Sequence, residues 1–197
     1  MRNHCAPWLR KPRGRRSRIF FMKMQKLAVF LVATMIILGQ GPGQNLSGRR
    51  APSFALPDSN MKSYDILDYR GRWLLLDYMK TDGRASKPLS KELGELKTRL
   101  GEKVAILQIV LPPDNTATVA KYVADTKTTL PVLFDSGQSG MWYFRVTPEH
   151  PQFDSPHLFA INPQGMLVRD WSQLAIEKGD YMPQVEALIA GGPAGKK

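Results

Sequence analysis

The stretch Trp73–Met79 (WLLLDYM) is apolar at every position but one. A near-continuous run of that length predicts a strand covered on both faces, because a strand with one wet face would alternate. Lys103–Leu111 (KVAILQIVL) repeats the pattern and predicts a second central strand. Leu130–Asp135 (LPVLFD) predicts a third, ending at a Ser-Gly turn. Between the first two, Ser86–Leu100 (SKPLSKELGELKTRL) sets Leu89, Leu93, Leu96 and Leu100 on one helical stripe. Ser86 is its predicted N-cap, and Pro88 falls in the first turn, where a missing N–H is tolerated. Asn115–Lys127 predicts a helix with Val119, Tyr122 and Val123 inward, and Ser139–Val146 (SGMWYFRV) a short one whose Met141–Phe144 segment packs into the core. Upstream, Ser53–Leu56 and Ser63–Arg70 predict two short strands, separated by a turn at Pro57–Asn60 and followed by another at Gly71. His157–Trp171 reads as an antiparallel pair joined at Asn162–Gly165, and Asp180–Gly192 as a closing helix that frays into the tail, 191–197. No internal repeat is present. Strands alternating with helices, then a hairpin and a last helix, predict an α/β domain over residues 51–190, with a central mixed β-sheet flanked by helices.

Charge places most of its weight at one end. The formal net charge is +11, yet residues 1–26 hold nine Lys/Arg and no acid, which leaves the remainder at about +2. A basic groove for nucleic acid is therefore not expected. Behind the basic run, Leu27–Gly39 (LAVFLVATMIILG) is free of charge. Residues 1–40 thus predict a signal peptide or a membrane anchor, with residues 27–39 as the apolar part and 41–50, rich in Gly, Gln and Asn, as a linker. Either outcome puts the domain outside the cytoplasm, periplasmic or cell-surface, because the positive flank stays inside. Met1, Met22 and Met24 are all candidate starts. Cys5 is the sole cysteine, so residues 6–197 contain no thiol and no intramolecular disulfide can form.

Several segments, in order and spacing, resemble a known family. APSFALPD, LDYRGRWLLLDYM, KVAILQIV, PVLFD and SPHLFAINPQG are similar to the thioredoxin-like redoxins of the TlpA/ResA and AhpC/TSA type, over roughly Arg50 to Leu188. The resemblance implies a thioredoxin-like fold. It also implies two cysteines in the turn after the first central strand, where the family typically reads T-W-C-P-P-C. This chain reads T-D-G-R-A-S, Thr81 to Ser86, with Gly83 and Ser86 at the two cysteine positions. Redox chemistry there needs a thiolate at a helix N-terminus, where unpaired N–H groups lower its pKa, and a second sulfur one turn on. Glycine has no side chain, and the serine hydroxyl makes no reversible bond to sulfur. A second landmark, the family's cis-proline facing that turn, falls on Pro156. Asp77 falls on a polar position that in the family serves a neighbouring thiol.

Asp82, Arg84 and Lys87 could receive an anion, or be solvated charges on a turn. His150, Asp154 and His157 carry metal-ligand atom types, but copper-handling relatives also use cysteine ligands, and no metal or cofactor is expected. Ser86, His157 and Asp82 would suit a hydrolase only if they share a cleft, and no nucleophile-elbow motif accompanies them.

The sequence therefore predicts a non-catalytic, exported thioredoxin-like module. It would hold a protein or extended peptide along a groove of Thr81, Asp82, Arg84, Ser155, Pro156 and His157. The alternative is a thiol-disulfide oxidoreductase or antioxidant role kept through a partner's thiol, or chemistry independent of cysteine.

Overall fold

The computed structural model describes residues 48–148 and 154–191. The leader and apolar run read from the sequence, together with His150, lie outside the described residues. No helix among the described residues is long and apolar enough to cross a membrane.

The two apolar runs form the centre. β4 (Trp73–Met79) and β5 (Val104–Val110) pair in parallel and are buried at every residue. β6 (Val132–Phe134) continues the parallel side. On the other flank β7 (His157–Ile161) runs antiparallel to β4, and β8 (Met166–Trp171) antiparallel to β7. β1 (Arg49–Arg50) closes that edge against Leu167 and Met166, giving the order β1-β8-β7-β4-β5-β6. A separate hairpin of β2 (Ala55–Pro57) and β3 (Ser63–Asp65) reaches the far edge, where Asp58 bridges Leu133.

Alternation along β4 divides the core. Trp73 and Leu75 pack under α1 (Ser86–Leu100) and α5 (Tyr181–Ala190) with Leu89, Leu93, Leu96, Val185 and Ile189. Met79, on the same face, meets Val119 and Tyr122 of α2 (Thr116–Thr126). Leu74, Leu76 and Tyr78 point to the opposite face, toward Phe54, Tyr143 and Phe159, where α3 (Gln138–Phe144) lies. Each face removes a contiguous set of large side chains from water, the dominant favourable contribution to folding. The predicted mixed sheet with helices on its faces is what forms.

Local chemistry moved several boundaries. Asp65 accepts from Leu67 N at 2.8 Å and caps a 3-10 turn over Ile66–Tyr69, so the strand expected to run up to the Gly71 turn stops at Asp65. Arg49–Arg50, assigned to the linker by composition, pair into the sheet. α4 (Gln173–Lys178) was not foreseen, although Ser172 caps it and Gly179 ends it in the left-handed region at φ 77°. The MWYF segment splits: Tyr143 is buried, whereas Met141 and Trp142 are each half exposed.

Candidate functional site

β4 delivers the chain into the Thr81–Ala85 turn and then into α1. β7 starts immediately after Ser155–Pro156, a cis peptide bond as expected from the sequence. Tyr78 is the register partner of His157, so the end of β4 and the start of β7 lie side by side at one end of the sheet. The altered turn and the proline ledge therefore share that end.

Within the turn, Gly83 N donates to Lys80 O and Ser86 N to Gly83 O. A Cβ on Gly83 would lie 3.5 Å from Ser86 Cβ and would strike Ser86 Oγ. That distance matches the Cβ separation of bridged half-cystines, so the backbone keeps a two-cysteine geometry without the sulfurs. Ser86 is not the N-cap. It is the first helical residue, Ala85 precedes it with no side-chain cap bond, and the Ser86 hydroxyl is buried with no partner.

Beneath α1 sits a polar network inside the apolar core. Gln108 Nε2 donates to Asp77 Oδ2 at 3.0 Å, and Gln108 Oε1 accepts from Ser90 Oγ at 3.1 Å and Thr128 Oγ1 at 3.3 Å. Tyr122 OH donates to the Ser86 carbonyl at 3.0 Å, tying α2 to the first turn of α1. Asp77 Oδ1 has no partner. Complete burial pushes the Asp77 carboxyl up to about 7, with the Gln108 hydrogen bond and the His157 charge acting against the rise. Burial likewise pushes the Tyr122 hydroxyl up to about 12.

The residues expected to line a groove take different roles. Asp82 and Arg84 are exposed, and Lys87 pairs with Asp125 at 2.8 Å. Thr81 is buried instead. Its N donates to Asp114 Oδ2 at 2.7 Å and its hydroxyl to Asp114 Oδ1 at 2.5 Å, while Thr118 Oγ1 donates to the same Oδ1 at 2.8 Å. Asp114 thereby fastens the start of the turn to the N-terminus of α2. Ser155 Oγ is buried without a partner beside the buried Pro156. His157 is buried between two carboxylates, with Nδ1 3.2 Å from Asp154 Oδ2 and Nε2 2.9 Å from Asp170 Oδ2. It stacks on Phe159, with ring centroids 4.5 Å apart, and meets the edge of Phe144. Both ring nitrogens are engaged on the α3 face of the sheet, and Ser86 lies under the α1 face, so no Ser86–His157–Asp82 cleft exists. Among the described residues no group of three His, Cys, Asp or Glu could hold a metal ion.

Sequence reasoning missed Asp114, Gln108 and Asp170, whose signals are spread over distant segments. It also missed a cleft of about 410 Å³ beside the turn, lined by Arg84, Pro88, Leu89, Glu92, Ile176 and Tyr181 among others.

The model of the AhpC/TSA family matches residues 47–169, well over half of the chain and nearly all of the sheet. The chain belongs to the AhpC/TSA family. Solved structures place this AhpC/TSA member in the thioredoxin-like fold. One is a Chlorobium tepidum protein assigned as a thiol:disulfide interchange protein DsbE (TM-score 0.59, 18% identity, 73% of this chain and 97% of that chain). Another is the thioredoxin domain of a thiol-disulfide oxidoreductase from Bacteroides vulgatus (TM-score 0.58, 15% identity, 73% and 97%). A third is a secreted disulfide oxidoreductase of Mycobacterium tuberculosis (TM-score 0.54, 10% identity, 70% and 95%). At these identities the likeness concerns fold. No curated protein matches the sequence.

Proposed function

We propose that this AhpC/TSA-family protein is a non-catalytic, extracytoplasmic binding module. Its ligand is an extended peptide or protein segment, held at the sheet end formed by the Gly83–Ser86 turn and the Ser155–Pro156 ledge. One observation carries the reading: the turn keeps a cysteine-pair backbone, with 3.5 Å between the Cβ positions of residues 83 and 86, in a domain without sulfur nucleophiles. Selection for electron transfer does not account for a scaffold whose electron-transferring atoms are gone. Selection for the surface those atoms once served does. Pro156 offers the adjoining backbone of Ser155 to a strand-like partner, a mode in which main-chain hydrogen bonds give affinity. Arg84 and Asp82, both exposed, would sort partners by charge. The uncharged run at 27–39 behind a basic segment supports export or anchoring, and a secreted protein among the structural neighbours is in keeping with that.

The test pairs two measurements on the full chain. Insulin reduction and peroxide consumption are expected at the rate of buffer alone. Fluorescein-labelled, carboxymethylated insulin B chain, an extended peptide without free thiols, is expected to bind and to lose at least tenfold in affinity with Ser155→Trp. Turnover of either substrate by the pure protein would sink the non-catalytic reading. Unchanged binding by Ser155→Trp would remove the ledge from it.

A further inference from the structure

His157 is held by carboxylates on both sides of its ring, an arrangement satisfied only when both nitrogens carry protons. A neutral imidazole has one N–H and one lone pair. With Asp170 facing Nε2 and Asp154 facing Nδ1, the neutral ring would set a lone pair against an anion at one side. We propose that the imidazolium of His157 is a proton-held latch, tying Asp154 and the start of α4 to Asp170 of β8 beside the Ser155–Pro156 ledge, and that loss of its proton frees Asp154 and loosens the ledge.

Asp154 is the side that yields. Its contact is the longer of the two, 3.2 Å against 2.9 Å. The same Asp154 oxygen accepts from Gln173 N at 3.0 Å, so it keeps a partner when it leaves the ring, and Gln173 is the first residue of α4. Asp170 belongs to a sheet strand in register with Phe159, on which His157 stacks, and has no comparable freedom.

The surroundings favour the charged ring. From β8 it faces Asp170, and from the preceding segment Asp154. β4 contributes Tyr78, whose hydroxyl is 2.9 Å from Ser139 Oγ, and from the other face of the sheet Asp77, whose carboxyl is pushed by burial up to about 7 and so is largely neutral below that pH. Among the described residues, α3 and β7 contribute the rings of Phe144 and Phe159. Burial opposes the charge, but the two carboxylates outweigh it and raise the proton affinity of His157 above that of a free imidazole. Asp154 is held low: burial acts against this, and the bonds from His157 and Gln173 N prevail.

What the latch regulates rests on the peptide-binding reading above; the latch itself does not. The experiment follows the ring nitrogens and backbone amides of the ¹⁵N-labelled full chain across pH, with His157→Gln used to assign His157 among the three histidines. Both nitrogens should be protonated at pH about 6, with a midpoint above the ordinary histidine value of about 6.5. The Gln173 amide should move with that midpoint, and Asp154→Asn should lower it. Labelled insulin B chain should bind at least threefold more weakly above the midpoint, a dependence absent in His157→Gln. A wild-type midpoint at or below about 6.5, or a Gln173 amide that ignores it, overturns the latch. A titrating latch with pH-independent binding overturns its regulatory role. No binding at any pH overturns the peptide reading alone and leaves the latch to be judged by Gln173.

Discussion

A Cβ on Gly83 would face the Cβ of Ser86 at 3.5 Å, although the two residues share no chemistry. The double variant Gly83→Cys/Ser86→Cys should therefore oxidise spontaneously to an intramolecular disulfide. The backbone already supplies the separation, and the two sulfurs bonded to each other take the space in which a side chain on residue 83 would meet the Ser86 hydroxyl. Closing so short a loop restricts the unfolded chain modestly, so the oxidised form should gain about 2 kcal/mol at most over the reduced one. Thiol titration under denaturing conditions, with and without reductant, checks the bond. Free thiols at residues 83 and 86 after air oxidation would show that the turn is not a cysteine-pair frame.

Asp77 makes stability fall with rising pH. Burial pushes its carboxyl up to about 7 in the folded protein, from the ordinary carboxylate value of 3.8. The folded state therefore binds the extra proton between those values, and its stabilisation, complete below the unfolded value, is lost as pH rises to about 7. The difference is on the order of a few kcal/mol, since each pKa step is worth about 1.4 kcal/mol. Asp77→Asn keeps an acceptor for Gln108 and removes the titration. Urea unfolding at pH about 5 and about 8 should show Asn gaining on wild type at the higher pH. A constant difference between the two proteins would mean that Asp77 ionises freely.

The clamp from Asp114 gives the turn its stiffness. Asp114→Ala strips three donors, Thr81 N, Thr81 Oγ1 and Thr118 Oγ1, of a charged acceptor. With hydrogen bonds to charged groups worth about 1.5–3 kcal/mol each and coupled here through one carboxylate, a loss of about 3 kcal/mol is expected in urea unfolding. Hydrogen exchange at Thr81 N should accelerate at least tenfold, a local effect that separates the clamp from general destabilisation.

Asp135 holds the start of α3 in the same manner. Its carboxylate accepts from Gly137 N, Ser139 N, Ser139 Oγ and Gly140 N at 2.7–3.2 Å. Asp135→Ala should cost about 2–3 kcal/mol, more than an ordinary cap, because four donors lose one buried acceptor. The near-ultraviolet signal of the Tyr78, Tyr143 and Phe159 cluster should weaken in parallel, since Tyr78 OH reaches the same Ser139 hydroxyl.

The fold was legible where the hydrophobic pattern alone sets the structure. The runs at 73–79 and 104–110 and the leucine stripe of α1 are such cases, because each is decided by which residues leave water. It was less legible where one polar side chain overrides the pattern. Asp65 turns a strand into a 3-10 turn, and Ser86, with the composition of a cap, is drawn beneath the helix instead. Two-residue β1 carries no periodicity at all, and only its pairing with β8 defines it. At the site, the absence of cysteine and the position of Pro156 are properties of the sequence. The arrangement around His157 is not. Asp170 lies 13 residues away and Asp114 lies 33 from Thr81, and only the sheet brings them together.

The way β1 enters the sheet has a practical consequence. Gly48 N bonds Leu167 O and Ala51 N bonds Gly165 O, beside the β7–β8 hairpin and at the opposite end from Pro156. Because β1 runs antiparallel to β8, with Arg49 opposite Leu167 and Arg50 opposite Met166, its N-terminal end points along β8 toward Trp171 and so toward the end of the sheet that carries Pro156. A dye, affinity handle or immobilising surface is better attached at exposed Gln164 in the β7–β8 turn, the pole remote from Gly83–Ser86, where it should leave the proposed peptide face unshaded.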